Sequence, residues 1–392
     1  MKILWEHALP TTEKSVDYQF ESPILEHGNH VYFVSSTAGT QLLHIIEKDV
    51  GEGRTQALPR SVSVLPSKYF FFTHGDHAVL YTGDLHLVRG GEIIRTLSMT
   101  GLGEINSHLI REDRLYISCC GRVGDSLCCI DLNTLDVVWG LGISNSTNYR
   151  AGDPAFFGDL LTCFGRDHLL FIRPDDGTIV GTLKLPRISK LFCPIHLDDD
   201  TLLIGYTNWT NAGILKYQIS TKKILWRHKR KFEGPQLKCR IHYHDGQAFW
   251  VKNTTELICL DAENGEEVYR LPTAPWLYTD LCFHGDAILY GTAGADGYLN
   301  CLDRRTGTIR WSRFLKNGCA YFGLQDESVF VGDFTKTIMK ISTADGSILD
   351  ELHLDAEVVG RIALGHGCLY SIVWGNNEKE IRLVKIQRKN AP

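Results

Sequence analysis

The sequence predicts an all-β fold, a single β-propeller of eight or nine four-stranded blades, and three observations carry that reading. A phrase made of an alternating apolar run, a turn and a second run recurs about every forty residues, the length of one blade. Its second run ends in a large side chain such as Trp139, Trp226, Tyr269 or Trp311. The N-terminal ILWEHAL of residues 3 to 9 closely matches the ILWRHKR that begins at Ile224.

The clearest copies start at Leu127, Leu169, Ile214, Leu257, Leu299 and Ile338, as in LICLDAENGEEVYRL and LNCLDRRTGTIRWSR. Each reads as a β-hairpin, because alternation marks a half-buried strand and the Asp261–Gly265 or Asp303–Gly307 turn ends in a residue free to take positive φ. Fainter copies begin at Leu43 and Leu85, and a truncated EIRLVKIQ begins at Glu380, which makes nine stations. Irregularity between residues 43 and 99 leaves eight open as the alternative. The last station lacks a second strand, and residues 1–9 are expected to supply it, joining the ends of the chain through main-chain hydrogen bonds.

With 392 residues at roughly 42 per blade, nothing is left for a second domain, so residues 1–392 are expected to form one. Hydrophobic content of 43% and 37 glycines suit short buried strands joined by tight turns. The start, MKILWEHALPTTEKS, lacks the pattern of a secretory signal, and no apolar window is long enough to span a membrane. Twelve cysteines, several at strand positions such as Cys259, Cys282 and Cys301, then read as free thiols of a cytoplasmic protein, with no glycosylation expected at Asn145, Asn208 or Asn253. A formal net charge of −5 argues against a nucleic-acid or membrane partner.

Asp261, Gly265 and Tyr269, like Asp303, Gly307 and Trp311, follow an Asp-x-x-x-Gly-x-x-x-aromatic spacing. That spacing resembles the tryptophan-docking repeat of the quinoprotein (PQQ-like) propeller superfamily. The resemblance spans nearly the whole chain and is strongest from about residue 127 to residue 352. It implies that each aromatic packs between neighbouring blades and is architectural. Gly181 and Asp350 depart from the aromatic, and Arg173, Gln218 and Ser342 from the aspartate. The superfamily includes PQQ-dependent dehydrogenases, some with a vicinal cysteine pair over the quinone, and the chain has two such pairs, Cys119-Cys120 and Cys128-Cys129. Those enzymes are exported and calcium-bearing, and no paired calcium ligands stand here, so PQQ is not expected and the cysteines read as strand residues. The superfamily's outer-membrane assembly scaffolds are exported as well.

His27, His74, His244, His284 and His366 fall at one station, the turn before a blade's second strand, and one position repeated in five blades is turn chemistry. Three histidines survive that subtraction. His108, His196 and His242 are placed on innermost strands, where converging imidazoles bind a divalent metal or act as a general base, and where structural histidines also occur. Loops entering the innermost strand or joining the second to the third carry Asn148, Tyr149, Arg150, Lys190, Trp209, Arg240, Trp276, Tyr278, Tyr321, Arg361 and Trp374. Aromatics with Arg and Asn suit stacking on sugars or gripping an anionic ligand.

The basic run from Lys222 to Lys231 reads as an outer strand whose lysines discourage pairing between molecules. No phosphate loop, nucleophile elbow or zinc-protease helix motif is present. Two functions therefore stand side by side. One is a cytoplasmic scaffold that binds a protein partner or small polar ligand through its loop face. The other is a lyase, hydrolase or oxidoreductase on carbohydrate or a related polar metabolite, using the three histidines. A widely reused fold does not choose between them.

Overall fold

The computed structural model describes residues 1–9, 23–37, 40–58, 69–121, 124–144, 153–165, 168–184, 190–207, 211–231, 240–252, 255–273, 276–277, 279–293, 296–316, 322–332, 336–358, 362–374 and 381–388. The fold is an all-β propeller with nine blades, each an antiparallel meander. Their spans are 25–58, 70–97, 104–144, 155–184, 190–231, 240–272, 276–316, 322–353, and 357–387 with 2–8. Nine is thus the number, and the faint stretch from 43 to 99 belongs to two complete blades. It is faint because Arg54 stands where a docking aromatic is expected and because a shortened Gly90–Gly91 turn follows Arg89 in the second blade. Contacts divide the chain into two compact units, Met1–Thr96 with Thr273–Pro392, and Leu97–Pro272.

The N-terminal strand Lys2–Ala8 is the outer strand of the ninth blade, antiparallel to Ile381–Gln387, with Trp5 opposite Lys385. Trp226 lies opposite Lys216 and Trp311 opposite Cys301, so Trp5 holds the station the sequence assigns it. Arg382 anchors this seam by ion pairs to Glu6 and to Asp355.

Each tryptophan at this station docks on the turn of the next blade. Trp139, Trp226, Trp311 and Trp5 lie against Gly177, Gly265, Gly346 and Gly51, where a Cβ would come within 2.5–2.8 Å of the ring. The indole N–H groups donate to the carbonyls of Pro174, Ala262, Thr343 and Lys48 at 2.7, 3.2, 2.9 and 2.8 Å. Glycine at the turn meets two demands, a φ of +71° to +76° and a face with no side chain for the ring to rest on. Trp311 is buried and Trp5, Trp139 and Trp226 partly so, and the apolar area each ring removes from water stabilises its blade junction.

The residue just before the docking station sits in a β-bulge in seven outer strands, at Leu4, Val138, Val180, Leu225, Val268, Arg310 and Leu349. An inserted residue increases twist and re-aims the next side chain, which turns the aromatic onto the neighbouring blade. It also interrupts the exposed edge. The turn aspartates complete the hairpins: the Asp261 carboxylate accepts the backbone N–H of Glu263 at 2.7 Å, and that of Asp303 accepts Arg305 and Thr306 at 3.0 Å each. A hydrogen bond from Arg310 holds the Asp303 carboxyl down to about 2.

Candidate functional site

The three inner-strand histidines all lie in the unit Leu97–Pro272. His108 stands in Glu104–Arg111 opposite Ile117 and is exposed. His242 stands in Arg240–His244 opposite Phe249, half-buried. His196 ends the strand Lys190–His196 opposite Leu202, with its ring 4.7 Å from that of Phe157 and its Nε2 3.3 Å from the Thr162 hydroxyl. Burial pushes its pKa down to about 4, so the imidazole is neutral at neutral pH. Among the described residues no three His, Cys, Asp or Glu groups come together to hold a metal, so these histidines do not form a three-ligand set.

Of the loop candidates, Asn148, Tyr149, Arg150, Trp209, Tyr278, Tyr321 and Arg361 lie outside the described residues. Lys190, Arg240 and Trp276 begin inner strands, and their side chains lie outside the description too. Trp374 ends Cys368–Trp374 opposite Ile381, packed on the cluster that holds Leu9, Val31, Phe33 and Leu383. The five turn histidines end or follow inner strands, as the repeat implies; His284, for one, lies 3.1 Å from Glu327 of the next blade.

Sequence reasoning missed two buried histidines. His44 and His86 share one station of the third strand, and each is held between hydroxyls. Ser35 and Thr55 lie 2.7 and 3.0 Å from the ring nitrogens of His44, and Thr82 and Thr96 each lie 3.0 Å from those of His86. Burial pushes their pKa values down to about 3 and about 4. Asn300 fills the same station in the seventh blade, accepting from the Ser312 hydroxyl at 2.7 Å. The signal was present in LHIIE and LHLVR, two copies with histidine at one place.

A second missed group marks the seam between the ninth and first blades. The nearly buried Glu26 carboxylate lies 3.3 Å from Lys48, 3.5 Å from His366 and 3.8 Å from the Cys368 thiol. Burial raises the pKa of Cys368 and of the neighbouring Tyr370, so both stay protonated. The vicinal cysteines are strand residues, as expected, and Cys119, Cys128 and Cys129 are buried. A hydrogen bond between the Cys119 and Cys128 thiols, across adjacent strands, holds the first pKa up and the second down.

Residues 210–318 match the family described as outer membrane protein assembly factor BamB. No curated protein matches the chain. Among solved structures, BamB from Moraxella catarrhalis is similar with a TM-score of 0.53 at 15% identity, covering 82% of this chain and 100% of that one. The computationally designed Ika8 protein has the same TM-score at 12% identity, covering 98% and 100%. A quinohemoprotein alcohol dehydrogenase from Pseudomonas putida HK5 also scores 0.53, at 10% identity, covering 82% and 75%. At such identities the likeness is one of fold.

Proposed function

We propose that this β-propeller, whose residues 210–318 match a family of PQQ-like repeats, is a member of that superfamily and a binding scaffold for a protein partner. The observation that carries this reading is the match of residues 210–318 to a family described as an assembly factor. The disposition of the polar residues supports it: turn aspartates, docking indoles, His44 and His86 all serve the frame, which leaves the loops to supply recognition. Within the unit Leu97–Pro272 the loop residues Asn148, Tyr149, Arg150, Lys190, Trp209 and Arg240 would hold the partner. A cytoplasmic location fits the free thiols of the described cysteines.

A second reading, an enzyme on carbohydrate or a related polar metabolite, rests on His196, whose buried Nδ1 has no hydrogen-bond partner among the described residues. A thermal-shift screen of the purified protein against sugars, uronates and PQQ with calcium separates the two. A specific small ligand at a hundred times its Kd adds about 2.7 kcal/mol of stability. A flat screen, together with loss of a co-purifying partner on combined Arg150→Ala and Arg240→Ala substitution, is the expected result. A ligand that shifts the protein but not His196→Gln would replace the scaffold reading with the enzymatic one.

A further inference from the structure

Lys223–Lys231 is the outer strand of the fifth blade and, at 9 residues, is longer than any other described strand. Its bulge falls at Leu225, so the ladder from Trp226 to Lys231 runs without a shift against Lys216 to Asn211. On that regular stretch Arg227, Lys229 and Lys231 are all exposed and alternate with inward residues. Alternation puts the three cations on one face, about 6.6 Å apart. Beneath them lie Gly213, opposite Lys229, and the Tyr206 ring, 5.2 Å from the Arg227 guanidinium.

Other arginines at outer strands are occupied. Arg230, on the opposite face of the same strand, pairs with Glu267, Arg310 with Asp303, and Arg382 with Glu6 and Asp355. Among the described residues no carboxylate pairs with Arg227, Lys229 or Lys231, and no strand pairs with the outer side of theirs. Three unpaired cations in register, on a straight open edge of a chain with net charge −5, select an extended acidic partner and repel a second copy of this strand.

We propose that Trp226–Lys231 is a docking edge for an extended segment of a partner protein with Asp or Glu at alternate positions, which adds a further strand to the fifth blade. Outward main-chain groups of the edge supply the pairing, and the three cations select the charge pattern. The edge is independent of the loop residues assigned above. A peptide has the backbone donors and acceptors to complete the ladder, whereas a nucleic acid has only its phosphates to offer a strip with no exposed aromatic side chain.

The probe is a fluorescent peptide as long as the strand, alternating glutamate and valine, titrated by anisotropy against the full chain. The expected result is saturable binding that weakens with salt and falls by about tenfold or more in Arg227→Glu/Lys229→Glu/Lys231→Glu. That triple variant should instead bind the lysine–valine peptide, a gain that a misfolded protein would not show. N-methylation of alternate amides of the probe should abolish binding, since it blocks pairing and leaves the charge. Equal binding of the N-methylated probe, tighter binding of single-stranded DNA, or no binding at low salt would each overturn the proposal.

Discussion

The fourth-to-fifth and fifth-to-sixth blade junctions use the same station and solve it in opposite ways. At the second, Trp226 lies on Gly265, and Asp261 accepts the turn N–H groups of its own hairpin. At the first, Gly181 stands where the tryptophan would be, and the turn glycine is replaced by Lys222 at φ +55°. Gln218 has replaced the aspartate there. Asp200, from the preceding turn, takes over and accepts from the Ser220 N–H at 2.7 Å and from the Gln218 amide at 2.8 Å. The left-handed turn therefore tolerates a side chain, and it is the ring above that excludes one. Tryptophan and glycine are a coupled pair, lost together at this junction.

The largest expected effect is at the seam, where strand and dock coincide. Deleting residues 1–9 removes both Trp5 and the outer strand of the ninth blade, and should yield aggregated protein by size-exclusion chromatography. A soluble monomer with unchanged melting would show that docking at Gly51 is dispensable. Next comes Trp226→Ala, expected to cost about 3–5 kcal/mol in denaturant unfolding by leaving a cavity at the junction. Gly265→Ala should approach that loss, because the new Cβ meets the ring at 2.5 Å, whereas Lys222→Ala should change stability by less than about 0.5 kcal/mol. Similar losses for these two would break the coupling argument.

Smaller again is the effect of acid on the first two blades. His44 and His86 have folded pKa values of about 3 and about 4, lowered by burial below the unfolded 6.5. Between those limits the unfolded chain binds more protons, so stability is full above about pH 6.5 and falls progressively as pH drops toward 4 and 3. His44→Gln and His86→Gln together should flatten this part of the melting-temperature profile, and an unaltered slope would assign the acid sensitivity elsewhere. As small as the Lys222 change is His284→Ala, at a turn pair with the exposed Glu327, expected to shift stability by less than about 0.5 kcal/mol in denaturant unfolding.

Much of this frame was legible because a blade repeats its demands. The Asp, Gly and aromatic stations of residues 127–352 and the returning ILW of the N-terminus each recur, and recurrence separates an architectural residue from a chance one. The first two blades were obscured because Arg54 does the docking, donating to the Gly91 carbonyl at 2.6 Å. No pattern distinguishes such an arginine from a surface one. Bulges were invisible too, since one inserted aliphatic residue leaves the apolar alternation readable. For the candidate site, repeat register places His108, His196 and His242 on comparable strands but not at a common point, because convergence depends on side-chain direction and on neighbouring blades. His196 found Phe157 and Thr162 through pairings more than thirty residues apart, which no local pattern records.

The pairing of Lys2–Ala8 with Ile381–Gln387 sets an order of events during synthesis. Lys2–Ala8 leaves the ribosome long before the strand it pairs with, Ile381–Gln387. Trp5 can reach its dock at Lys48 and Gly51 early, but until Gln387 has emerged the main-chain groups of its strand lack their native partner, however many hairpins between them have already formed. Contacts of this sequence separation are slow to close. A nascent chain halted before residue 381 would thus carry an unsatisfied edge at Lys2–Ala8, available to chaperones until the ninth blade is complete.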